Sequence, residues 1–185
     1  LASTEGRLKN ADVVRQALNT YDVQVASVVP LDHACNATYR IVTNGGEQYV
    51  LRLSHPRRSS VEVVRSELLW LAALRDDVGL HVPEPVRNKE AQLVTAVEDK
   101  MGSRQHLCAL FRWTPGRLLF RQLTPRHLYQ VGELIAQLHN HATNWEPPAG
   151  FARPRVDALN LCTQNEIPDG VQPLLQQQLK LSLRP

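Results

Sequence analysis

Residues 36–53 read NATYRIVTNGGEQYVLRL, two alternating runs of β-branched and aromatic residues on either side of a Gly-Gly turn. Hairpin turns need positive φ, which glycine adopts without the steric cost other residues meet, so this segment is predicted to fold as a hairpin with strands over residues 38–42 and 48–53. Beyond Pro56, Ser59 or Ser60 is placed to cap a helix, with Glu62 in its first turn. Val61, Val64, Leu68, Leu71 and Arg75 recur there at three- and four-residue steps, with Leu74 alongside, which marks a buried helical stripe. The second strand carries Arg52 near its end, and the helix carries Glu67. A strand that ends in a cation, followed by a helix that supplies an acid, can build a clamp for phosphate.

The flanking segments extend the pattern. Residues 10–18 suit a short leading helix, with Asp12 in the first turn where a negative charge complements the helix dipole. Val23, Val25, Val28 and Val29 make residues 21–31 extended. Gly79 ends the central helix, and Pro83-Glu84-Pro85 forms a stiff connector. Strands are predicted over residues 92–98 and 106–111, around a polar turn. Trp113-Thr114-Pro115-Gly116 breaks that pattern and marks a hinge. A long helix over residues 125–142 then opens with Thr124 as cap and Pro125 in its first turn. Its periodicity predicts a buried side made of Leu128, Val131, Leu134, Ile135 and Leu138. Residues 171–183 read as a further helix, with Leu174, Leu175, Leu179 and Leu183 apolar.

Bulk properties exclude several classes. The 185 residues suit one domain, or one lobe and part of a second, and 43% hydrophobic content speaks against disorder. A net charge of +3, with both signs interspersed, gives no indication of a nucleic-acid surface. No apolar run approaches the roughly 18 residues a membrane helix needs. Cys35, Cys108 and Cys162 are widely spaced and form no C-x-x-C, so they read as reduced thiols of a cytoplasmic protein rather than a disulfide frame or zinc site. His139 and His141 stand two apart on the long helix and face different sides, which argues against a metal site. The chain begins at Leu1 rather than Met, so it is expected to be a piece of a longer protein or a shortened product.

In chain order, N-A-T-Y-R-I-V, Y-V-L-R-L, S-E-L-L-W-L-A-A-L, V-P-E-P-V, L-F-R-W-T-P-G and L-I-A-Q-L-H resemble the aminoglycoside phosphotransferase superfamily, and within it the homoserine- and choline-kinase-type small-molecule kinases. The resemblance implies an α+β fold: a protein-kinase-like N-terminal lobe with a five-stranded antiparallel sheet and one packed helix (residues 1–112), a hinge (113–117) and part of a helical C-terminal lobe (118–185). It implies ATP with Mg as cofactor, with γ-phosphoryl transfer to a small-molecule hydroxyl as the parent reaction. By the same resemblance, Ala34, Cys35, Asn36 and Ala37 occupy the phosphate-covering loop, which here lacks G-x-G-x-x-G. Arg52 takes the place of the phosphate-binding cation, where Lys is usual, and Glu67 that of its acidic partner. Phe111, Arg112 and Trp113 fall where the family's hinge backbone pairs with the adenine edge.

One departure bears on mechanism. The family's H-x-D-x-x-x-x-N and its later metal-binding Asp are not found. Asp157 is preceded by Arg155 instead of the motif's His, and Cys162 stands where the motif needs Asn. Asp169-Gly170 lacks the intervening residue of D-F-G. No catalytic or metal-binding residue is therefore assigned, and the chain is expected to be inactive alone, since a general base contributes about 10²–10⁴ in rate. The competing expectation is a non-catalytic interaction protein that self-associates as a homodimer through apolar surface a partner lobe would otherwise cover.

Overall fold

The computed structural model describes residues 10–31, 36–54, 59–99, 104–116 and 123–153. The helix predicted over residues 171–183 lies outside them. The chain divides into two units, Leu1–Ala152 and Arg153–Pro185, and every element below belongs to the first. In order these are α1 (Ala11–Asn19), β1 (Val25–Leu31), β2 (Ala37–Thr43), β3 (Gln48–Ser54), α2 (Val61–Val78), β4 (Pro85–Val86), β5 (Thr95–Glu98), β6 (Gln105–Arg112) and α3 (Pro125–Asn144).

The strands form one antiparallel sheet ordered β1-β2-β3-β6-β4, with β5 also paired to β6. The predicted hairpin is its centre. Gly46 turns at φ 83°, its N–H meets the Thr43 carbonyl at 3.0 Å, and Arg52 comes opposite Thr38 on β2 and Ala109 on β6. The sheet has six strands where the sequence predicts five. The additional one is Pro85–Val86, within the expected proline connector, which pairs with Phe111 and Leu110. A proline tolerates a sheet edge because it has no N–H to leave unsatisfied there.

Both faces of the sheet are covered, because the leading helix predicted over residues 10–18 also packs on it, where one packed helix is expected. On one face Val13, Val14, Ala17 and Leu18 of α1 pack with Ile41, Leu51, Leu53, Cys108 and Leu110. On the other, Val64 and Leu68 of α2 pack with Leu107, Ala109 and Phe111. Alternation sends successive β6 side chains to opposite cores, which is why Leu107 to Phe111 are all buried. Ser60 caps α2 through the Val63 N–H, and Gly79 ends it at φ 66°, a left-handed conformation that favours glycine. Thr124 caps α3 in a reciprocal pair with His127, and Pro125 follows.

The stripe predicted to be the buried side of α3 is not buried. Leu128, Val131, Leu134 and Ile135 are 44–60% exposed, and His141 is the buried residue of that helix. Periodicity reports that a helix has an apolar face, but burial needs a second surface, and the described residues bring none to this one.

Burial in the α1-side core pushes the Cys108 thiol from its ordinary 9.0 up to about 12. The folded state holds this proton more tightly than the unfolded chain, so its contribution to stability is lost as pH rises from 9.0 towards about 12. At about pH 8 the thiol stays protonated and unreactive. Iodoacetamide is expected to leave Cys108 unmodified in the native protein and to label it after denaturation, read by peptide mass spectrometry. Labelling of the native protein at the rate of a free thiol would contradict its placement.

Candidate nucleotide site

Arg52 lies on the face of β3 that looks towards α2, with its neighbours Leu51 and Leu53 buried in the opposite core. Glu67 stands on α2 beside the buried Leu68. Strand alternation and helix periodicity thus bring a cation and a carboxylate together from separate elements. Arg52 Nη1 donates to Glu67 Oε1 at 2.6 Å, and the two side chains are only 17% and 28% exposed. The guanidinium carbon also sits 5.1 Å from the centre of the Phe111 ring.

The rest of this guanidinium carries the argument. Arg52 Nε and Nη2 are buried and have no hydrogen-bond partner among the described residues, and the same holds for Thr38 Oγ1 on the adjacent strand. A buried donor left unsatisfied costs about 1–3 kcal/mol, so folded proteins seldom retain several together without a use. Nε and Nη2 form one edge of the planar group, the edge that grips two oxygens of a carboxylate or phosphate side by side. Glu67 supplies a carboxylate at Nη1 and leaves that edge uncommitted among the described residues.

Arg52 and Glu67 line a cleft of about 700 Å³ together with Asn36, Thr38, Val50, Leu71, Phe111, Arg112, Trp113 and Thr114. The size suits a nucleotide-scale ligand. Along β3, Val50 lies opposite Phe111, and Arg52 follows two residues further from the hinge. Trp113 is held by Arg40, whose guanidinium lies 4.9 Å from its ring centre while Nη2 donates to Gln48 Oε1 at 2.9 Å. At the rim, Glu84 meets Arg75 at 3.3 Å and Arg112 at 3.5 Å.

The backbone groups at the end of β6 are partly committed. The Arg112 N–H donates to the Glu84 carbonyl at 2.9 Å, and the Trp113 N–H to the Gln48 carbonyl at 3.0 Å. Thr114 is the next residue, and its N–H has no protein acceptor among the described residues. Pro115 has no N–H to offer.

Of the residues singled out from the sequence, Asn36, Arg52, Glu67, Phe111, Arg112 and Trp113 therefore share one cleft. Ala37 opens β2 opposite Leu53 and packs partly against the α1-side core. Ala34 and Cys35 lie outside the described residues. Sequence reasoning missed Thr38, Val50, Leu71 and Thr114. Thr38 was within reach, since the hairpin register sets it opposite Arg52. Among the described residues, no group of three or more His, Cys, Asp or Glu side chains converges to hold a metal ion.

The antiparallel sheet, with a part-buried cation–carboxylate pair facing a cleft at the end of β6, has the layout of a kinase-like fold. The chain belongs to the phosphotransferase enzyme family, whose model matches residues 27–184. It is 30% identical to the homoserine kinase of Granulibacter bethesdensis over 143 residues, covering 76% of this chain and 37% of that enzyme. Among solved structures it resembles a microcompartment-associated aminopropanol kinase, with a TM-score of 0.71 and 31% identity over 83% of this chain and 48% of that one. An amicoumacin kinase solved with AMP-PNP, Ca2+ and Ami shares the fold, with a TM-score of 0.73 at 22% identity, over 98% of this chain and 56% of that one. The chain thus spans about half the length of these solved kinases, and less of the curated relative. Among the described residues, no helix is long and apolar enough to cross a membrane.

Replacing Glu67 by Ala would leave a third, part-buried donor on Arg52 unsatisfied. An expected loss of about 2–3 kcal/mol follows, measured by urea denaturation, with Glu67→Gln losing less because its amide oxygen still accepts. A loss below about 0.5 kcal/mol, the level of an exposed ion pair, would contradict the role given to this contact.

Proposed function

We propose that this chain is the nucleotide-holding portion of a small-molecule kinase whose parent reaction transfers the ATP γ-phosphoryl group to a hydroxyl. The observation that carries the proposal is the unpartnered Nε–Nη2 edge of Arg52 inside the cleft. Arg52 holds non-bridging phosphate oxygens by that edge while Glu67 fixes the guanidinium from Nη1. Thr38 Oγ1 and the backbone near Asn36 supply further donors to the phosphates. The base lies towards Val50, Phe111 and Trp113, and the Thr114 N–H rather than those of Arg112 or Trp113 meets its edge. Magnesium, when bound with the nucleotide, neutralises phosphate charge. The small lobe corresponds to residues 1–112, the hinge to 113–117, and 118–185 to the beginning of the second lobe. Without H-x-D-x-x-x-x-N, the chain binds nucleotide in the cytoplasm but does not transfer phosphate by itself.

Calorimetric titration with Mg-ATP is expected to give micromolar affinity, weakened about 10- to 100-fold by Arg52→Ala, because a charge-assisted pair of hydrogen bonds is lost. A folded protein that binds no nucleotide would overturn the proposal.

A second reading, the self-associating interaction protein, is favoured by the exposed Leu128, Val131, Leu134 and Ile135 on α3. An apolar stripe of this kind is a common interface signature. Light scattering is expected to show a dimer that Leu134→Glu with Ile135→Glu converts to a monomer; a monomer from the outset would exclude this reading.

A further inference from the structure

The buried residue of α3 is a histidine with both ring nitrogens engaged by α2. Trp70 Nε1 donates to His141 Nδ1 at 3.1 Å, and His141 Nε2 lies 2.9 Å from Asp77 Oδ2. An indole N–H can only donate, so Nδ1 accepts, and Nε2 carries the hydrogen that Asp77 receives. Trp145 stacks on the imidazole at 5.8 Å, and Phe151 meets the Trp145 ring edge-on at 5.1 Å. Directly beyond, the Ala152 N–H donates to Oγ of the buried Ser66 at 2.8 Å.

Ser66, Trp70 and Asp77 repeat at helical intervals and fall on one stripe of α2, roughly opposite the Val64 and Leu68 side that packs on the sheet. Glu67 follows Ser66 directly and lies between these two faces. The helix is therefore fastened from both sides, by apolar packing against the sheet and by three polar contacts from residues 141–152. Polar contacts of this kind tolerate little rotation or sliding, because a small displacement leaves buried partners unpaired.

We propose that His141 is a positioning residue for the clamp. By tying α2 to α3 it fixes the rotation of α2, and so holds Glu67, and through Glu67 the free edge of Arg52, towards the cleft. Only the last step, an effect on nucleotide affinity, rests on the function proposed above.

The test compares His141→Leu, which removes both contacts, with Trp70→Phe, which keeps an aromatic ring but loses the N–H together with the five-membered ring, and with His141→Gln, which can still donate once and accept once. In the nucleotide-free protein, hydrogen exchange of the α2 amides around Glu67 is expected to quicken about 3- to 30-fold in the first two variants, while β3 and β6 amides stay protected. The Gln variant is expected to fall back towards the native rate. Unchanged α2 exchange in folded Trp70→Phe would overturn the proposal, and so would equal loosening of α2 and the sheet, which marks a merely structural role. Calorimetry with Mg-ATP supplies the second arm. His141→Leu should weaken binding by a similar factor in the native background and by nothing further alongside Arg52→Ala. Additive losses would overturn the route through Arg52. If the native protein binds no nucleotide while α2 exchange responds as stated, the positioning role stands and the nucleotide assignment falls.

Discussion

The contact between Arg52 and Glu67 is the constraint on which the site depends. It joins the middle of the sheet to the one helix that packs beside the cleft, and it does so with a charge that is mostly out of water. A guanidinium in such a place carries a cost for each donor left unsatisfied. Glu67 satisfies Nη1, and the Phe111 ring lies near its carbon. The remaining edge has no acceptor among the described residues. Under the proposed function, binding at the cleft relieves a cost already incurred in folding, a form of preorganisation.

The fold delivers this pair through β6. It is flanked by β3 on one edge and by β4 and β5 on the other, and its successive side chains enter two cores. That double burial fixes the height of β3, hence of Arg52, relative to α2. The same strand runs directly into Trp113, so Phe111 and Trp113 are placed in the cleft by the register that places Arg52. Adding β4 at the hinge end occupies the Arg112 N–H through Glu84. The first uncommitted donor thereby moves to Thr114.

Much of this was legible in the sequence because the signals were local. The Gly-Gly hairpin, the Ser60 and Thr124 caps and the Gly79 stop each depend on residues within a turn or two, and each is where the pattern put it. The cation and acid were legible from their elements and from the ordered motifs around them. What escaped depends on partners distant in sequence. Pro85–Val86 becomes a strand only because Phe111 and Leu110 present an open edge. His141 looked like one of two unremarkable histidines, since nothing near it in sequence announces Trp70 or Asp77. The apolar stripe of α3 misled in the other direction, because a periodic face states a need for burial without stating that it is met.

The use of arginine rather than lysine follows from these geometries. An ammonium is a compact point charge with three rotatable donors, which a carboxylate and a phosphate would share through one atom. A guanidinium separates the two tasks in space. Nη1 serves the structural acid, while Nε and Nη2 keep a flat, two-pronged edge for the ligand. The division works only if the plane of the group is held, since rotation about the side chain would turn the free edge out of the cleft. Phe111 restrains that plane from one side and Glu67 from its end, so the orientation of α2 bears directly on what the arginine can grip. A kinase-like lobe that carries arginine here depends more on the fastening of its helix than one that carries lysine, and Ser66, Trp70 and Asp77 are the residues through which this helix is fastened.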